Sequence, residues 1–306
     1  MTEHPGADNR RGILAISLSM ASFVANDALV KYVSQSLPAA QLIFIRGVFA
    51  SLLLLVLAHA LGLQRTRVAR DKLAWRHLLR RPVLLRSALD ALGTIAYLGA
   101  LFHMPIANAT AINMAAPLFI TLFAVLFFHE RVGAQRWLAT GTGFLGVLLV
   151  MQPATDGFNA WALLCLLAAL ASSVRDLVTR TIPVDVPSVL ITVAAAMTTA
   201  LIAGTACAFE GWQPVSRSQL ALLATASVFL SCGYFMAVVA MRHGDMSVVA
   251  PFRYVALVYA LLIGWVIWGD VPNSLAWTGI ALLVGAGLTM LRSGRSKASA
   301  RGAARQ

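Results

Sequence analysis

Charged side chains are scarce in this sequence. Asp, Glu, Lys and Arg make up 12% of the 306 residues, whereas 59% are hydrophobic and the mean hydropathy is +0.78. A soluble domain carries about 25% charged residues. This shortage excludes a water-soluble enzyme, a disordered protein and a nucleic-acid-binding protein. The long apolar blocks instead predict an all-α membrane protein.

Cysteine is rare as well, and catalytic patterns are lacking. The three cysteines, Cys165, Cys207 and Cys232, all lie inside apolar blocks, where thiols behave as small hydrophobic side chains. His103 and His243 fall at predicted helix ends without a second ligand at metal spacing. We therefore expect no disulfide framework, no metal, no cofactor and no enzyme activity.

One glycine motif matches a nucleotide-binding signature in the wrong context. Gly141, Gly143 and Gly146 follow the G-x-G-x-x-G spacing, but they lie within an apolar block that no strand precedes. Small residues in such a block allow two membrane helices to approach closely. We interpret the motif as a helix-packing surface.

The apolar blocks divide the chain into ten predicted membrane helices. Each is close to the roughly 20 residues that a helix needs to cross a bilayer. A helix satisfies all of its own backbone hydrogen bonds in lipid. The predicted spans are 12–33, 39–62, 83–103, 106–128, 134–151, 158–181, 187–208, 218–241, 246–268 and 273–292.

Basic residues are distributed unequally between the two sides of these spans. With a cytoplasmic N-terminus, 18 of the 24 Lys and Arg residues lie in cytoplasmic segments or at the cytoplasmic ends of spans, two lie outside or at an outer end, and four lie deeper within spans. Lys and Arg favour the cytoplasmic side of short loops. We therefore predict a bacterial-type inner (plasma) membrane protein with both termini in the cytoplasm. A basic loop at 63–82 and a basic tail at 293–306, facing anionic lipid headgroups, belong to this side.

The two halves of the chain repeat one another in their rare residues. A shift of 149 places Asp27 on Asp176, and a shift of 140 places Gly93 on Gly233. The chain therefore contains two predicted repeats of five helices each. Because five is odd, the second repeat enters the membrane from the opposite side.

The predicted repeats occupy 12–151 and 158–292, and they have inverted topology. Inverted repeats are typical of alternating-access transporters, in which the substrate binds near the bilayer midplane at the interface between repeats. This pattern is the strongest functional indication in the sequence.

Ionisable residues within the spans need an explanation, because each costs several kcal/mol in lipid unless it is paired or hydrated. Asp27 and Lys31 share one helix face near the outer side, and Arg46 lies at a similar depth. Two interpretations stay open: charged layers that open alternately as gates, or static ion pairs that fix helix register. The corresponding inner set is Arg86, Asp90, Asp176 and Arg180.

Proline interrupts the fourth and ninth spans at corresponding places. Asn113 precedes Pro117, and the shift of 140 places Asn113 on Arg253, which follows Pro251. A guanidinium can bind a carboxylate, a phosphate or a ring carbonyl through paired hydrogen bonds. The alternative interpretation is ordinary helix packing and a structural ion pair. The candidate substrate-binding residues are Tyr97, Asn113, Tyr234, Arg253 and Tyr254.

Proline, acidic and tryptophan residues recur in a fixed order along both halves. They are the block 105–111 with Pro117, Glu130 and Trp137, and then Pro251, Asp270 and Trp277. In this order they resemble EamA-type members of the drug/metabolite transporter superfamily. The resemblance implies ten helices in two inverted halves around a central cavity, lined mainly by the third, fourth, eighth and ninth spans.

A narrower resemblance concerns the substrate. The segments 26–32 and 250–254 are similar to motifs in the branch that holds S-adenosylmethionine and riboflavin uptake proteins. This resemblance implies that Asp27, Arg253 and Tyr254 act as gate or substrate residues.

The expected function is that of an inner-membrane secondary transporter for a small organic metabolite. The expectation is uptake of a ring-containing compound such as riboflavin or S-adenosylmethionine. The alternative is an exporter of amino acids or toxic small molecules on the same fold. The expected partners are the small-molecule substrate and the lipid bilayer, without nucleic acid, and the oligomeric state stays open.

Overall fold

The computed structural model describes residues 9–60, 80–128, 133–152, 160–179, 181–183, 188–243 and 246–303, and every regular element in these ranges is helical. The helices are α1 (Asn9–Val33), α2 (Ala39–Ala60), α3 (Arg81–His103), α4 (Ile106–Asn113), α5 (Ala116–Phe128), α6 (Ala134–Met151), α7 (Trp161–Thr179), α8 (Ser188–Glu210), α9 (Arg217–His243), α10 (Met246–Val249), a 3₁₀ helix (Ala250–Tyr254), α11 (Val255–Trp268) and α12 (Ser274–Ala303).

The helices follow the predicted spans closely. Seven helical segments of the described chain are long and apolar enough to cross a membrane. Three shorter apolar helices, Trp137–Met151, Phe252–Trp268 and Ser274–Thr289, coincide with the remaining predicted spans. The described chain is therefore all helical, and its composition is that of a multi-pass membrane protein.

The last helix continues beyond the predicted span. The sequence predicts that the apolar block gives way to a basic tail after residue 292, whereas α12 extends to Ala303. The added segment, 293–303, has six Ala, Arg and Lys residues, which favour helix, beside five Ser and Gly residues, which do not. The predicted basic loop lies outside the described residues as far as residue 79.

The chain folds as two compact units, each built from both halves of the sequence. The first unit comprises Met1–Val24, Met104–Leu163 and Cys232–Gln306. The second unit comprises Ala25–His103 and Leu164–Ser231. Each unit thus takes corresponding helices from the two predicted repeats.

In the first unit, α6 and α12 pack closely in opposite directions. A Cβ atom built on Gly143 would lie 3.3 Å from Ala286, and one built on Gly279 would lie 2.9 Å from Val150. As the residue number increases along α6, the number of the contacting residue on α12 decreases, so the two helices are antiparallel. The backbones are closest at Gly146, where a Cβ would lie 2.6 Å from the carbonyl oxygen of Gly279.

These contacts decide the role of the glycine motif. The prediction of a helix-packing surface is confirmed for Gly143 and Gly146, which lie against α12. Gly141 differs, because a Cβ built there would meet no atom within 4 Å. The motif-like spacing is therefore a coincidence of two packing glycines and one on an open face.

In the second unit, α2 and α8 are also antiparallel. A Cβ built on Gly47 would lie 2.9 Å from the Cβ of Ala200, and one built on Gly204 would lie 2.9 Å from the ring of Phe44. The helices α2 and α8 correspond to the second and seventh predicted spans. As with α6 and α12, equivalent helices of the two halves run in opposite directions.

Two glycine contacts in the two units are equivalent: in each, a glycine of one half of the chain packs against a helix of the other half. Gly93 of α3 lies against Ser172 of α7 in the second unit, and Gly233 of α9 lies against Phe23 of α1 in the first. The shift of 140 carries Gly93 onto Gly233, and the shift of 149 carries Phe23 onto Ser172. The sequence offsets therefore relate contacts as well as residues.

We expect Gly146→Ala to destabilise the protein. Its Cβ would overlap the backbone of α12, and overpacking of this kind costs about 1–3 kcal/mol. Thermal unfolding of the detergent-solubilised protein should show a lower melting temperature than that of wild type. Gly141→Ala is the matched control, since it adds the same atom where no neighbour lies within 4 Å. Equal melting temperatures for the two variants would contradict the described crossing.

Candidate functional site

Polar side chains gather around Asp27 of α1 in the second unit. The Tyr97 hydroxyl of α3 donates a hydrogen bond to Asp27 Oδ2 at 2.8 Å, and the Asn26 amide donates to Asp27 Oδ1 at 2.9 Å. The positive charge of Arg46 on α2 also acts on this carboxylate. We call Asn26, Asp27, Tyr97 and Arg46 the Asp27 cluster. Two neutral donors and a nearby cation thus stabilise the carboxylate within the protein.

The buried cations of the predicted outer layer lie in this same unit. Lys31 and Arg46 are each only 7% exposed, which is unusual for side chains of this type. Arg46 is further connected through its backbone, whose carbonyl accepts a hydrogen bond from Ser227 of α9 at 3.2 Å. The cluster therefore involves α1, α2, α3 and α9.

A second charged group forms around Arg175 of α7. Its Nη1 atom lies 2.6 Å from Asp90 Oδ1 of α3, and its Nη2 atom lies 2.8 Å from Asp176 Oδ1. We call Asp90, Arg175 and Asp176 the Arg175 cluster. One guanidinium serves two carboxylates, so the three side chains together keep a negative charge.

Arg175 is the residue that sequence spacing misses. A spacing of four pairs Arg86 with Asp90 and Asp176 with Arg180, whereas the ion pairs described for both aspartates join them to Arg175. Arg180 lies outside the described residues. Spacing finds neighbours on one helix only, and it cannot find a partner supplied by the adjacent helix.

A signal for Arg175 was nevertheless present in the repeat. The shift of 149 carries Asn26-Asp27 onto Arg175-Asp176. In both places the first residue donates to the carboxylate of the second, at 2.9 Å from Asn26 and at 2.8 Å from Arg175. The two repeats therefore share a hydrogen bond to the aspartate from the residue directly before it.

Arg86 connects three helices on the same side of the second unit. Its Nε donates to the hydroxyl of Thr179 on α7 at 3.2 Å, and its Nη1 donates to the carbonyl of Ile191 on α8 at 3.5 Å. The side chain thus holds α3 against the C-terminal end of α7 and the start of α8.

Helix α3 contributes to both clusters. Asp90 and Tyr97 are seven residues apart, so they lie on nearly the same helix face, separated by about 10.5 Å along the axis. Tyr97 contacts the Asp27 cluster, and Asp90 contacts the Arg175 cluster. Tyr97 is therefore placed with Asp27 in the second unit, whereas the other four candidate substrate residues belong to the first.

The backbone departs from the α-helix at matched positions of the first unit. Helix α4 ends at Asn113, and a turn at residues 114–115 precedes α5. Pro117 has no N–H group to donate to the carbonyl of Asn113. In the other half, the 3₁₀ helix Ala250–Tyr254 separates α10 from α11. The shift of 140 carries Asn113 onto Arg253 inside this segment.

The two interrupted spans also pack against one another. Helices α4 and α11 are in contact, and a Cβ built on Gly264 would lie 3.1 Å from Ile106. In membrane transporters, interrupted helices at corresponding positions of two halves mark the substrate site. The first unit therefore contains the arrangement in which a substrate site is expected.

The candidate substrate residues of this unit differ in exposure. Asn113 and Tyr254 are half-buried and Arg253 is exposed. Tyr234 is 41% exposed, and its ring packs edge-on against Phe23 with 5.2 Å between centroids. Within the described part of the chain, the Arg253 guanidinium makes no hydrogen bond or ion pair. Its five donors are available to a ligand or to water.

A further polar group on α4 lacks a partner. The side-chain oxygen of Asn108 is buried and accepts no hydrogen bond from any described residue. Leaving such an acceptor unsatisfied costs about 1–3 kcal/mol. A donor from water or from a bound substrate would remove this cost, so Asn108 adds to the polar groups of the interrupted span.

Metal chemistry finds no support in the same ranges. The described residues contain no group of three or more His, Cys, Asp or Glu side chains placed to hold a metal ion. The described ion pairs instead join a guanidinium group to carboxylates.

Comparison with characterised proteins identifies relatives over nearly the whole length. The chain is 32% identical over 285 residues to a riboflavin transporter of Rhizobium johnstonii, covering 92% of this chain and 91% of that protein. It is 27% identical to an S-adenosylmethionine uptake transporter of Rickettsia felis, covering 92% of each chain. It is also 27% identical to the pseudopaline exporter CntI of Pseudomonas aeruginosa, covering 93% of this chain and 97% of the exporter.

Two consecutive segments, residues 10–152 and 159–292, match the EamA-like transporter family. Together they include almost all of the described helices. The chain therefore belongs to the EamA-like transporter family, and it is a transporter rather than an enzyme.

Proposed function

We propose that this protein is an inner-membrane secondary transporter that moves a small organic metabolite by alternating access. It has ten membrane helices in two inverted repeats, 12–151 and 158–292, with both termini and the tail at 293–306 in the cytoplasm. The observation that carries the proposal is the pair of helix interruptions at Asn113 and Arg253, which occupy equivalent places in the two halves.

The directions of equivalent helices support the inverted repeat. Helices α6 and α12, and likewise α2 and α8, are related by the sequence offsets and run antiparallel. A repeat of unchanged orientation would place equivalent helices parallel. The exchanged contacts of Gly93 with Ser172 and of Gly233 with Phe23 support the same interpretation.

The interrupted helices support a substrate site in the first unit. An interruption frees backbone groups that lipid cannot satisfy, so they need a partner from protein, water or ligand. The two halves present different side chains there: Asn113 in one, and Arg253 with Tyr254 in the other. We propose that these residues and Tyr234 contact the substrate.

The two charged clusters suit the role of gates. The Asp27 cluster lies toward the predicted outer ends of its helices, with Lys31 one turn further out. The Arg175 cluster lies toward the predicted inner ends, with Arg86 nearby. Breaking either cluster in lipid is costly, because a separated charge has no solvent. Each cluster therefore holds its helices together until water or substrate replaces the lost partner.

The relatives support a ring-containing substrate taken up by the cell. The Rhizobium relative is named for riboflavin and the Rickettsia relative for S-adenosylmethionine, and both carry flat heteroaromatic rings. A guanidinium beside a phenol ring matches such a ligand through hydrogen bonds and stacking. The alternative function is export of amino acids or toxic small molecules. The similarity to the Pseudomonas exporter supports this alternative.

We expect expression of this protein to restore growth of a bacterial strain that can neither make nor import riboflavin, on medium with limiting riboflavin. A second strain, which requires external S-adenosylmethionine for growth, tests uptake of that compound in the same way. Accumulation of labelled riboflavin or S-adenosylmethionine in the cells provides the direct measurement. Failure of both rescues, together with faster efflux of preloaded amino acids, would support the exporter.

We expect Arg253→Lys to raise the KM for the transported substrate by about tenfold, with the melting temperature unchanged. Lysine keeps the charge but cannot form the paired, planar hydrogen bonds of a guanidinium. Arg217→Lys, at the exposed start of α9, is the control for the same exchange away from the site. A lower melting temperature with unchanged KM in the folded fraction would assign Arg253 to structure.

We expect Asp27→Asn to lower the maximal transport rate while insertion into the membrane stays normal. The substitution removes the negative charge that faces Arg46 and one acceptor of the cluster. Tyr97→Phe removes a single hydrogen bond to the same carboxylate, so its effect on the rate should be smaller. Wild-type kinetics in Asp27→Asn would exclude the cluster from the transport cycle.

A further inference from the structure

Tyr254 occupies space that is open only because residue 287 is glycine. A Cβ atom built on Gly287 of α12 would overlap the hydroxyl oxygen and the ring of Tyr254. Gly287 is buried, and Tyr254 is half-buried at the end of the 3₁₀ helix. The phenol ring therefore packs directly on the backbone of α12.

The first half of the chain has side chains of different sizes at the two equivalent positions. The shift of 140 carries Met114 onto Tyr254 and Val147 onto Gly287. The first half thus has two medium-sized side chains, Met114 in the turn after α4 and Val147 on α6, whereas the second half has a large ring on the interrupted span and no side chain on its neighbour. The exchange places an aromatic ring beside the interruption of the second half alone.

The position of Tyr254 also determines where Arg253 points. Consecutive residues of a 3₁₀ helix are about 120° apart, so a ring held on α12 directs the preceding side chain away from α12. This agrees with the exposure of Arg253 and with the absence of any described hydrogen-bond partner for its guanidinium. If the rotamer of Tyr254 is kept, displacing the ring requires the five-residue segment to turn and therefore redirects Arg253.

We propose that Gly287 is a positioning residue for substrate recognition: it seats Tyr254 on α12 and thereby aims Arg253 at the substrate. The substrate class that fits is a compound with a flat ring and a hydrogen-bond acceptor, such as a ring carbonyl, a carboxylate or a phosphate. This inference rests on the proposed function, because it assigns a role within the substrate site of that transporter.

The test compares the uptake kinetics of labelled riboflavin in cells expressing four forms of the full-length protein. Gly287→Ala inserts a methyl group under the ring. Gly285→Ala is the matched control, since it lies two residues away on the same helix and its Cβ would meet nothing within 4 Å. The double variant Gly287→Val with Tyr254→Met installs the pair found in the first half. Melting temperatures of the purified proteins report packing separately from transport.

The expected result is a KM raised about tenfold in Gly287→Ala, at little change in the maximal rate per folded transporter, with wild-type kinetics in Gly285→Ala. The double variant should recover the melting temperature of wild type and keep a raised KM. A purely structural glycine would instead leave KM at the wild-type value in the folded fraction of Gly287→Ala, because the ring of Tyr254 is still present in that variant.

Three results would overturn the inference. They are a wild-type KM in Gly287→Ala, a double variant in which KM returns to the wild-type value, and a double variant that fails to fold. If Gly287→Ala itself does not fold, the double variant decides the question by the same criteria. If wild type takes up labelled S-adenosylmethionine and not riboflavin, the same comparison is made with that compound. Absence of uptake of both compounds by wild type rejects the proposed uptake function and this inference with it, whereas wild-type uptake with unchanged KM in Gly287→Ala rejects this inference alone.

Discussion

A polar group surrounded by hydrocarbon must find its partner within the protein, and the rest of this structure depends on that constraint. An uninterrupted helix satisfies its own backbone, and the long helices of this chain do so. The interruptions at residues 114–115 and 250–254 depart from this solution in both halves. At the first interruption the N–H groups of Met114 and Ala115 still bond to Thr110 and Ile112, whereas Pro117 has no N–H group for the carbonyl of Asn113. At the second, the 3₁₀ helix replaces the α-helical bonds with i→i+3 bonds.

The same constraint explains how the few in-span charges are arranged. Arg175 holds two carboxylates on two helices, and Asp27 receives hydrogen bonds from Tyr97 and Asn26. Within each cluster, the charged and polar groups stabilise one another. Arg253 departs from the pattern, since its guanidinium is exposed and has no described hydrogen-bond partner. A cation of this kind is understandable where a ligand or water reaches it.

The sequence predicts the helices well because their signal is local. Apolar blocks near bilayer length, ended by Pro, Gly or charge, leave little freedom in where a helix begins and ends. The repeat also predicts which glycines correspond, as the contacts of Gly93 and Gly233 illustrate. Such agreement is expected when one physical cause, burial of the backbone in lipid, controls each segment separately.

Side-chain partners are less accessible to such reasoning. The spacing of charges suggests bonds within one helix, whereas Asp90 obtains its guanidinium from α7. The aromatic character of Tyr97 predicts a ligand contact, which stays a prediction, but it gives no sign of the hydrogen bond to Asp27. The fit of Tyr254 on Gly287 has no sequence signal at all, because it requires knowledge of which helices are neighbours. Partners across helices depend on packing, and packing is a property of the whole unit.

Helix α3 carries a consequence of its own. It bears Tyr97 and Asp90 on nearly one face, and each is held by a different polar cluster. A helix of this length behaves as a stiff rod, so a roll about its axis displaces both side chains in the same sense. Neither cluster can loosen through motion of α3 without stress reaching the other. The two polar clusters are thus mechanically coupled through one helix, without any change of charge passing between them.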